Sequence, residues 1–246
     1  MSQELFDKRR RAEKWRRVRR WMLGILAVGL VAGAVWLVWF STVLVATDVE
    51  VEGMTTLRGD TIIEQADVPL GVQLARLDTV AIETRVARME RIDKVEVLRR
   101  WPNTVLISVK ERVPVGWVVS EGAIRYVDRN GIDFRTVSRE PERLLEIRIE
   151  TVDPLTRQQA LEAVARVITY LRSEAPDLFL QIQYVSAATQ DSVQLRLTEK
   201  RTVVWGSAEQ NEEKAVVLRP LLKVDAERYD VSAPELPTTK SDDDKN

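Results

Sequence analysis

The sequence predicts an α+β protein in which a single transmembrane helix precedes two domains that each combine β-strands with helices. Three observations predict this class. A long uncharged segment follows a basic N-terminus, the next stretch combines strand patterns with two helical patterns, and the remainder mixes further strands with helical repeats. The 246 residues are 45% hydrophobic and 30% charged, which is enough to build a core in one or two domains.

Residues 1–20 form a basic tail. They contain nine Lys and Arg against three acidic residues, a net charge of +6 in a chain whose total is -1. Because basic flanks stay on the cytoplasmic side of a membrane, we expect this tail in the cytoplasm. Attraction to anionic lipid explains the same cluster. We therefore expect no nucleic-acid partner.

Residues 21–44 are predicted to form the transmembrane helix. No residue from Trp21 to Thr47 is charged, and about 20 apolar residues are needed to cross the roughly 30 Å hydrocarbon core. A cleaved signal peptide has a shorter apolar region and an Ala-x-Ala-like site, whereas Leu44 stands two residues before Ala46. We expect a retained single-pass anchor in the lipid bilayer of the plasma membrane, with everything after it extracytoplasmic.

The chain contains no cysteine and no histidine. These absences exclude Ser-His-Asp and Cys-His nucleophilic sites and the ligand sets that most zinc sites require. The spacing of the remaining residues singles out no Ser-Lys or paired-carboxylate site. We expect no enzyme activity, no cofactor, no metal and no small-molecule substrate.

Residues 45–112 read as strand, helix, helix, strand, strand. The first strand ends at Gly53, Thr61 with Glu64 forms a capping box for the first helix, and Asp78 caps the second. Two alternating segments follow, joined by a turn at 101–103, whose sequence is Trp-Pro-Asn.

Residues 113–233 are predicted to form a second mixed β-sheet with helices packed against it. An Asn130-Gly131 turn indicates a hairpin, and Asp153-Pro154 starts a helix. Later strands are expected near 182–186, 193–197 and 202–205, before another helix. Residues 234–246, rich in proline and polar residues, are predicted to be a flexible tail.

Four segments carry a resemblance to a known family. The first, KVEVLRRWPNTVLISVKERVPVGW (94–117), resembles the strand, Trp-Pro-Asn turn and Glu-Arg-x-Pro pattern of the FtsQ/DivIB cell-division proteins. The segments at 126–134, 203–222 and 229–240 are similar to later motifs of that family, in the family's order. The resemblance implies that residues 45–112 form a POTRA domain and residues 113–233 form the FtsQ-type β domain.

The resemblance also implies a function. It implies a non-enzymatic divisome scaffold at the division septum that recruits and links FtsB-like and FtsL-like bitopic proteins and other divisome proteins, and helps control septal peptidoglycan synthesis. The last strand of the second domain would accept a partner strand through main-chain hydrogen bonds. The candidate binding residues lie in that strand and just after it: Arg228, Tyr229, Asp230, Val231, Ser232 and Ala233.

Tyr229 is the favoured interface residue, as a partly exposed aromatic side chain. It could equally be an ordinary residue of the sheet. The alternative function is a POTRA-containing accessory of protein export or envelope assembly. Such proteins usually add several POTRA units and a β-barrel, which 246 residues do not accommodate.

Overall fold

The computed structural model describes residues 15, 19–33, 35, 36 and 44–241. The chain divides between Glu111 and Arg112 into two compact units. We call residues 44–111 the first unit and residues 112–241 the second unit, and describe each by itself.

The predicted transmembrane helix, 21–44, lies partly outside the described residues. Residues 19–33, 35 and 36 are helical, whereas 34 and 37–43 are not described. Among the described positions, no helix combines the length and hydropathy that a bilayer crossing requires. The membrane helix is thus not confirmed. The basic tail lies mostly outside the described residues.

The first unit confirms the predicted order of strand, helix, helix, strand and strand. Its elements are β1 (Asp48–Glu52), α1 (Gly59–Ala66), α2 (Thr79–Ala87), β2 (Ile92–Arg100) and β3 (Thr104–Glu111). The central strand is β3, which pairs in parallel with β1 and antiparallel with β2. Ile62 of α1 and Ile82 and Val86 of α2 form one buried core with Val105 and Ile107 of β3.

The two helix starts of the first unit had different outcomes. The Asp78 side chain accepts a hydrogen bond of 3.0 Å from the Ala81 amide, so the predicted cap of α2 is confirmed. The capping box of Thr61 and Glu64 is wrong, because α1 begins earlier, after Arg58, whose side chain makes no cap. Thr61 therefore lies inside the helix rather than at its N-cap.

One carboxylate, Glu111 at the end of β3, fixes the loop between β1 and α1. Its Oε1 accepts hydrogen bonds from the amides of Thr55, Thr56 and Leu57 at 2.7, 2.7 and 2.8 Å. The Thr56 hydroxyl donates to Oε2, and Arg91 forms an ion pair with it at 3.4 Å. Burial acts to raise the pKa of Glu111, but these hydrogen bonds together outweigh it and lower that pKa from 4.5 to about 2.

The second unit contains one nine-stranded mixed sheet. Its strands are β4 (Pro114–Ser120), β5 (Ala123–Asp128), β6 (Asp133–Val137), β7 (Leu145–Ile149), β8 (Ile182–Ala187), β9 (Val193–Leu197), β10 (Thr202–Gly206), β11 (Arg228–Asp230) and β12 (Thr238–Lys240). Its helices are α3 (Pro154–Glu174), α4 (Pro176–Phe179) and α5 (Asn211–Leu221). The sheet order is β12-β11-β10-β9-β8-β7-β4-β5-β6.

The core of the second unit lies between α3, α5 and one face of this sheet. Leu161, Val164 and Ile168 of α3 are fully buried with Val185 of β8 and Leu195 of β9. The mixed α+β class is therefore confirmed for both units.

The hairpin at Asn130-Gly131 is confirmed between β5 and β6. Gly131 has a φ of +73°, and a Cβ there would lie 2.4 Å from the backbone nitrogen of Glu162 in α3. Because residue 131 is glycine, the turn can lie close against α3.

Candidate partner-binding edge

The predicted binding segment, Arg228 to Ala233, forms β11 and the start of the turn after it. In β11, Arg228 is exposed, Tyr229 is buried and Asp230 is half-buried. Of the following residues, Val231 is buried, whereas Ser232 and Ala233 are exposed. Whether these six residues bind a partner stays a prediction.

The prediction that this strand offers an open edge needs correction. β11 pairs in parallel with β10, with Tyr229 opposite Val203. On its other side it pairs antiparallel with β12, with Tyr229 opposite Thr239. The segment predicted as a flexible tail thus contains a strand in its described part, while residues 242–246 lie outside the description. Within the second unit, β12 covers the outer edge of β11.

The predicted partial exposure of Tyr229 is wrong. Its relative exposure is 0%, and it belongs to the core that contains Trp205 and Leu218. Its hydroxyl donates a 2.7 Å hydrogen bond to the carbonyl oxygen of Val224. The phenol needs no solvent because this bond satisfies its polar end inside the protein. Tyr229 therefore holds β11 in place rather than presenting a ring to a partner.

The face of the sheet opposite the core carries a row of polar and basic side chains near this edge. Lys240 of β12 stands opposite Arg228, Arg228 opposite Thr202 of β10, and Thr202 opposite Arg196 of β9. Arg196 donates a 2.6 Å hydrogen bond to the Thr202 hydroxyl. We call Lys240, Arg228 and Arg196 the basic row. Its charge favours an acidic partner surface.

The turn after β11 is fixed by short-range polar contacts. Oδ1 of Asp230 accepts hydrogen bonds from the amide and hydroxyl of Ser232, at 3.0 and 2.7 Å. Gly206, with a φ of +78°, ends β10 beside this turn, and a Cβ there would lie 2.7 Å from the Cβ of Ser232. A side chain at position 206 would force the turn away from the sheet.

Sequence reasoning missed Lys214, a buried lysine in α5. It is 1% exposed, and its ammonium donates a 2.9 Å hydrogen bond to the Ser207 carbonyl in the loop before the helix. Burial lowers the pKa of Lys214, while the carboxylates of Glu209 and Asp191 act in the opposite direction. The sequence shows that Lys214 lies in the helix after Trp205 and Gly206, but it does not show that the side chain is buried. Lys214 orders the loop that follows β10.

The side chains around this edge are polar and basic. Within residues 44–241 and the described part of the N-terminal helix, no group of three acidic side chains is placed to hold a metal ion. The groups that the edge offers are main-chain donors and acceptors, a basic row and short hydroxyl side chains.

Comparisons with known proteins assign both units to one family. Residues 46–112 match the family model "POTRA domain, FtsQ-type", and residues 116–235 match "Cell division protein FtsQ/DivIB, C-terminal".

Relatives match over most of the chain. Cell division protein FtsQ of Streptomyces bingchenggensis is 36% identical over 234 residues, covering 93% of this chain and 88% of the relative. The proteins of the same name from Mycobacteroides abscessus and Streptomyces venezuelae are 33% identical over 220 residues and 35% identical over 222 residues. These matches cover 89% and 88% of this chain, and 67% and 81% of the relatives. The resemblance seen in the sequence is confirmed, and the chain belongs to the FtsQ/DivIB family of cell-division proteins.

Proposed function

We propose that this protein is a non-enzymatic scaffold of the divisome that recruits and links FtsB-like and FtsL-like bitopic proteins at the septum and helps control septal peptidoglycan synthesis. The observation that carries this function is membership of the FtsQ/DivIB family across both units, 46–112 and 116–235. The POTRA unit and the β domain act as binding modules for other divisome proteins.

The proposed topology has residues 1–20 in the cytoplasm, residues 21–44 in the membrane and the rest of the chain extracytoplasmic. Two sequence features support it: the charge of the tail and the uncharged run from Trp21 to Thr47. Membrane attachment would place both units within reach of bitopic partners that share the same bilayer. The protein and its partners would then meet by diffusion in the plane of the membrane rather than in three dimensions.

The proposed docking site is the end of the second unit's sheet that contains Arg228–Ala233 and the terminal strand β12, together with the basic row. A partner strand added at a sheet edge gains main-chain hydrogen bonds that depend little on sequence. Specificity then comes from side chains beside the edge, and exposed Arg228 is well placed to select a carboxylate. The buried Tyr229 supports this edge from inside the core.

The test is co-purification of the full-length chain in detergent with the FtsB-like and FtsL-like proteins of the same organism. We expect the wild-type chain to retain both, and Arg228→Glu to retain much less because it reverses a charge in the basic row. The matched control is Arg166→Glu, which makes the same change at an exposed position of α3.

Equal recovery of the two partners by Arg228→Glu and Arg166→Glu would contradict the proposed docking site. Recovery of export machinery in place of division proteins would contradict the scaffold function and favour the accessory of protein export. A fluorescent fusion that fails to concentrate at the septum would contradict the proposed location.

A further inference from the structure

The loop between α1 and α2 lies beside the start of the first unit. The Gly71 amide donates a 2.9 Å hydrogen bond to the carbonyl oxygen of Ala46, whose own amide donates a 2.9 Å bond to the carbonyl oxygen of Val72. Leu70, in the same loop, is 57% exposed. A large apolar side chain is therefore exposed next to the first residues of the unit.

The turn between β2 and β3 lies against the same short segment. The Thr47 amide donates a 2.9 Å hydrogen bond to the carbonyl oxygen of Asn103, and the Asn103 side chain donates a 2.6 Å bond to the Thr47 hydroxyl. Trp101, in this turn, is 48% exposed. Among residues 44–241, it is the only aromatic residue that is exposed. An indole ring that is left in the open at a fixed turn is well suited to a surface that is partly apolar and partly wet.

Both loops lie at one end of the three-stranded sheet. The parallel strands β1 and β3 begin there, at Asp48 and Thr104, and the antiparallel strand β2 ends there at Arg100. The exposed apolar residues of the two loops form what we call the apolar tip: Pro69, Leu70, Trp101 and Pro102.

The proposed topology brings this end of the first unit close to the bilayer. The proposed transmembrane helix ends at residue 44, three residues before Thr47. Because an extended chain spans at most about 3.6 Å per residue, Thr47 lies within about 11 Å of the end of that helix. The interfacial layer on each side of the hydrocarbon core is about 5–7 Å thick. Loops that are hydrogen-bonded to residues 46 and 47 are therefore within reach of this layer.

The apolar tip carries no charge, and the two arginines at the end of β2 are engaged within the first unit. Arg100 forms an ion pair with Glu50, and the guanidinium of Arg99 donates to the carbonyl oxygens of Leu74 and Leu77 at 2.9 and 2.7 Å. Uncharged loops with an exposed tryptophan fit the boundary between headgroups and hydrocarbon, where indole rings are enriched. Contact with lipid would therefore depend on apolar side chains rather than on attraction to charged headgroups.

We propose, on the basis of the topology given above, that the apolar tip lies in the extracytoplasmic interface of the bilayer that holds the transmembrane helix. Trp101 and Leu70 enter the headgroup layer from two separate loops. Because both loops and the anchor then meet the same bilayer, the first unit is held at a fixed tilt to the membrane instead of swinging on its connection.

The test uses spin labels on the full-length chain in lipid discs of phosphatidylcholine and phosphatidylglycerol. The chain contains no cysteine, so one introduced cysteine carries the only label. Leu70→Cys places it in the apolar tip, and Ile25→Cys places it in the N-terminal helix. The control is Lys94→Cys, an exposed position of β2 that lies about 20 Å along the strand from Arg100.

The measured quantity is the ratio of two collision rates of the label, one with oxygen, which concentrates in lipid, and one with a water-soluble nickel complex. We expect this ratio at position 70 to exceed the ratio at position 94 by at least about threefold, and the ratio at position 25 to be higher still. Replacing all phosphatidylglycerol by phosphatidylcholine should leave the ratio at position 70 unchanged, because the apolar tip carries no charge.

A second substitution tests whether the apolar tip itself makes the contact. Trp101→Asn in the Leu70→Cys chain should lower the ratio at position 70 by about twofold or more, because the aromatic contact is lost. Hydrogen exchange of the β3 amides should not change, since Trp101 is exposed. Met54→Asn removes an exposed apolar side chain beyond the other end of β1 and should leave the ratio unchanged. An equal ratio with Trp101 and with Asn at position 101 would overturn the contact.

The remaining outcomes separate the contact from the proposals on which it rests. Equal ratios at positions 70 and 94, with a high ratio at position 25, would overturn the contact and leave the topology in place. A low ratio at position 25 would overturn both. A label at position 70 that leaves water only when the FtsB-like and FtsL-like proteins are added would overturn the lipid contact, because the apolar tip would then bind protein. Co-purification of those partners tests the scaffold function independently of all these ratios.

Discussion

Two short segments, one in each unit, lie against a β-strand and are held there in opposite ways. In the first unit, three consecutive amides of the loop at 55–57 donate to the carboxylate of Glu111, whose side chain is 8% exposed. In the second unit, β12 pairs with β11 through its main chain, and all of its side chains are exposed.

The kind of acceptor decides how firmly each segment is held. Hydrogen bonds to a charged, buried acceptor are roughly twice as strong as neutral ones, and their loss leaves a charge unsolvated. The loop at 55–57 cannot open without that cost. Exposed main-chain bonds exchange with water at little cost, so β12 is held less firmly than the loop at 55–57.

The largest expected effect is in Tyr229→Ala, which removes the side chain that fixes the inner of the two paired strands. Because Tyr229 is fully buried, we expect the second unit to lose about 3–5 kcal/mol of unfolding free energy. Hydrogen exchange of the β9 and β10 amides measures it. The control Thr239→Ala, on exposed β12, should change that free energy by less than about 0.5 kcal/mol. Similar losses in both variants would contradict the inference that a buried side chain holds β11 whereas no side chain holds β12.

The next effect concerns the fixed loop of the first unit. Glu111→Gln keeps the shape of the side chain but removes the negative charge of the group that accepts hydrogen bonds from three amides. We therefore expect the first unit to lose about 2–3 kcal/mol of unfolding free energy. Exchange of the β3 amides reports this loss. Glu52→Gln, an exposed glutamate of β1, is the matched control and should have little effect. If the two variants were equally stable, Glu111 would not be what holds the loop.

A third prediction uses pH on the same carboxylate. The pKa of Glu111 is lowered from 4.5 to about 2 in the folded protein, so its stabilisation is complete above pH 4.5 and is lost as the pH falls towards 2. Between pH 7 and pH 3 we expect the first unit to lose about 2 kcal/mol from this group. The measurement is the difference between wild type and Glu111→Gln in pH-dependent unfolding. That difference should shrink as the pH falls, and a constant difference would contradict the assignment.

The smallest expected effect separates the ring of Tyr229 from its hydroxyl. Tyr229→Phe keeps the buried ring but leaves the Val224 carbonyl without its 2.7 Å partner. We expect a loss of about 1 kcal/mol, measured by the same exchange experiment as for Tyr229→Ala. A loss as large as that of Tyr229→Ala would show that the hydroxyl, and not the packing of the ring, fixes β11.

Local signals in the sequence predicted much of the fold. Asp78 and Asp153 cap their helices, with amide hydrogen bonds of 3.0 and 2.9 Å to their side chains. The Asn130-Gly131 hairpin forms as predicted because its glycine supplies a positive φ. Each of these features depends on residues close together in the chain, which a pattern of residues can reveal.

Features that depend on distant partners were not predicted. The strands β4 and β7 pair in parallel with each other across a long connection, and neither was recognised in the sequence. The burial of Tyr229 depends on which face of a strand of three residues the helices cover, and alternation alone does not specify that. The strand β12 has no apolar position, so no periodic pattern could mark it.

The covered edge also affects solubility. An uncovered strand edge with free amides and carbonyls is a template on which other extended chains pair, and such pairing leads to aggregation. In the second unit, a strand of three exposed residues ending in Lys240 lies over the edge of β11. A weakly held cover of this kind excludes chance encounters, because an intruding segment gains only as much as β12 loses. It thereby keeps other extended chains from pairing with β11.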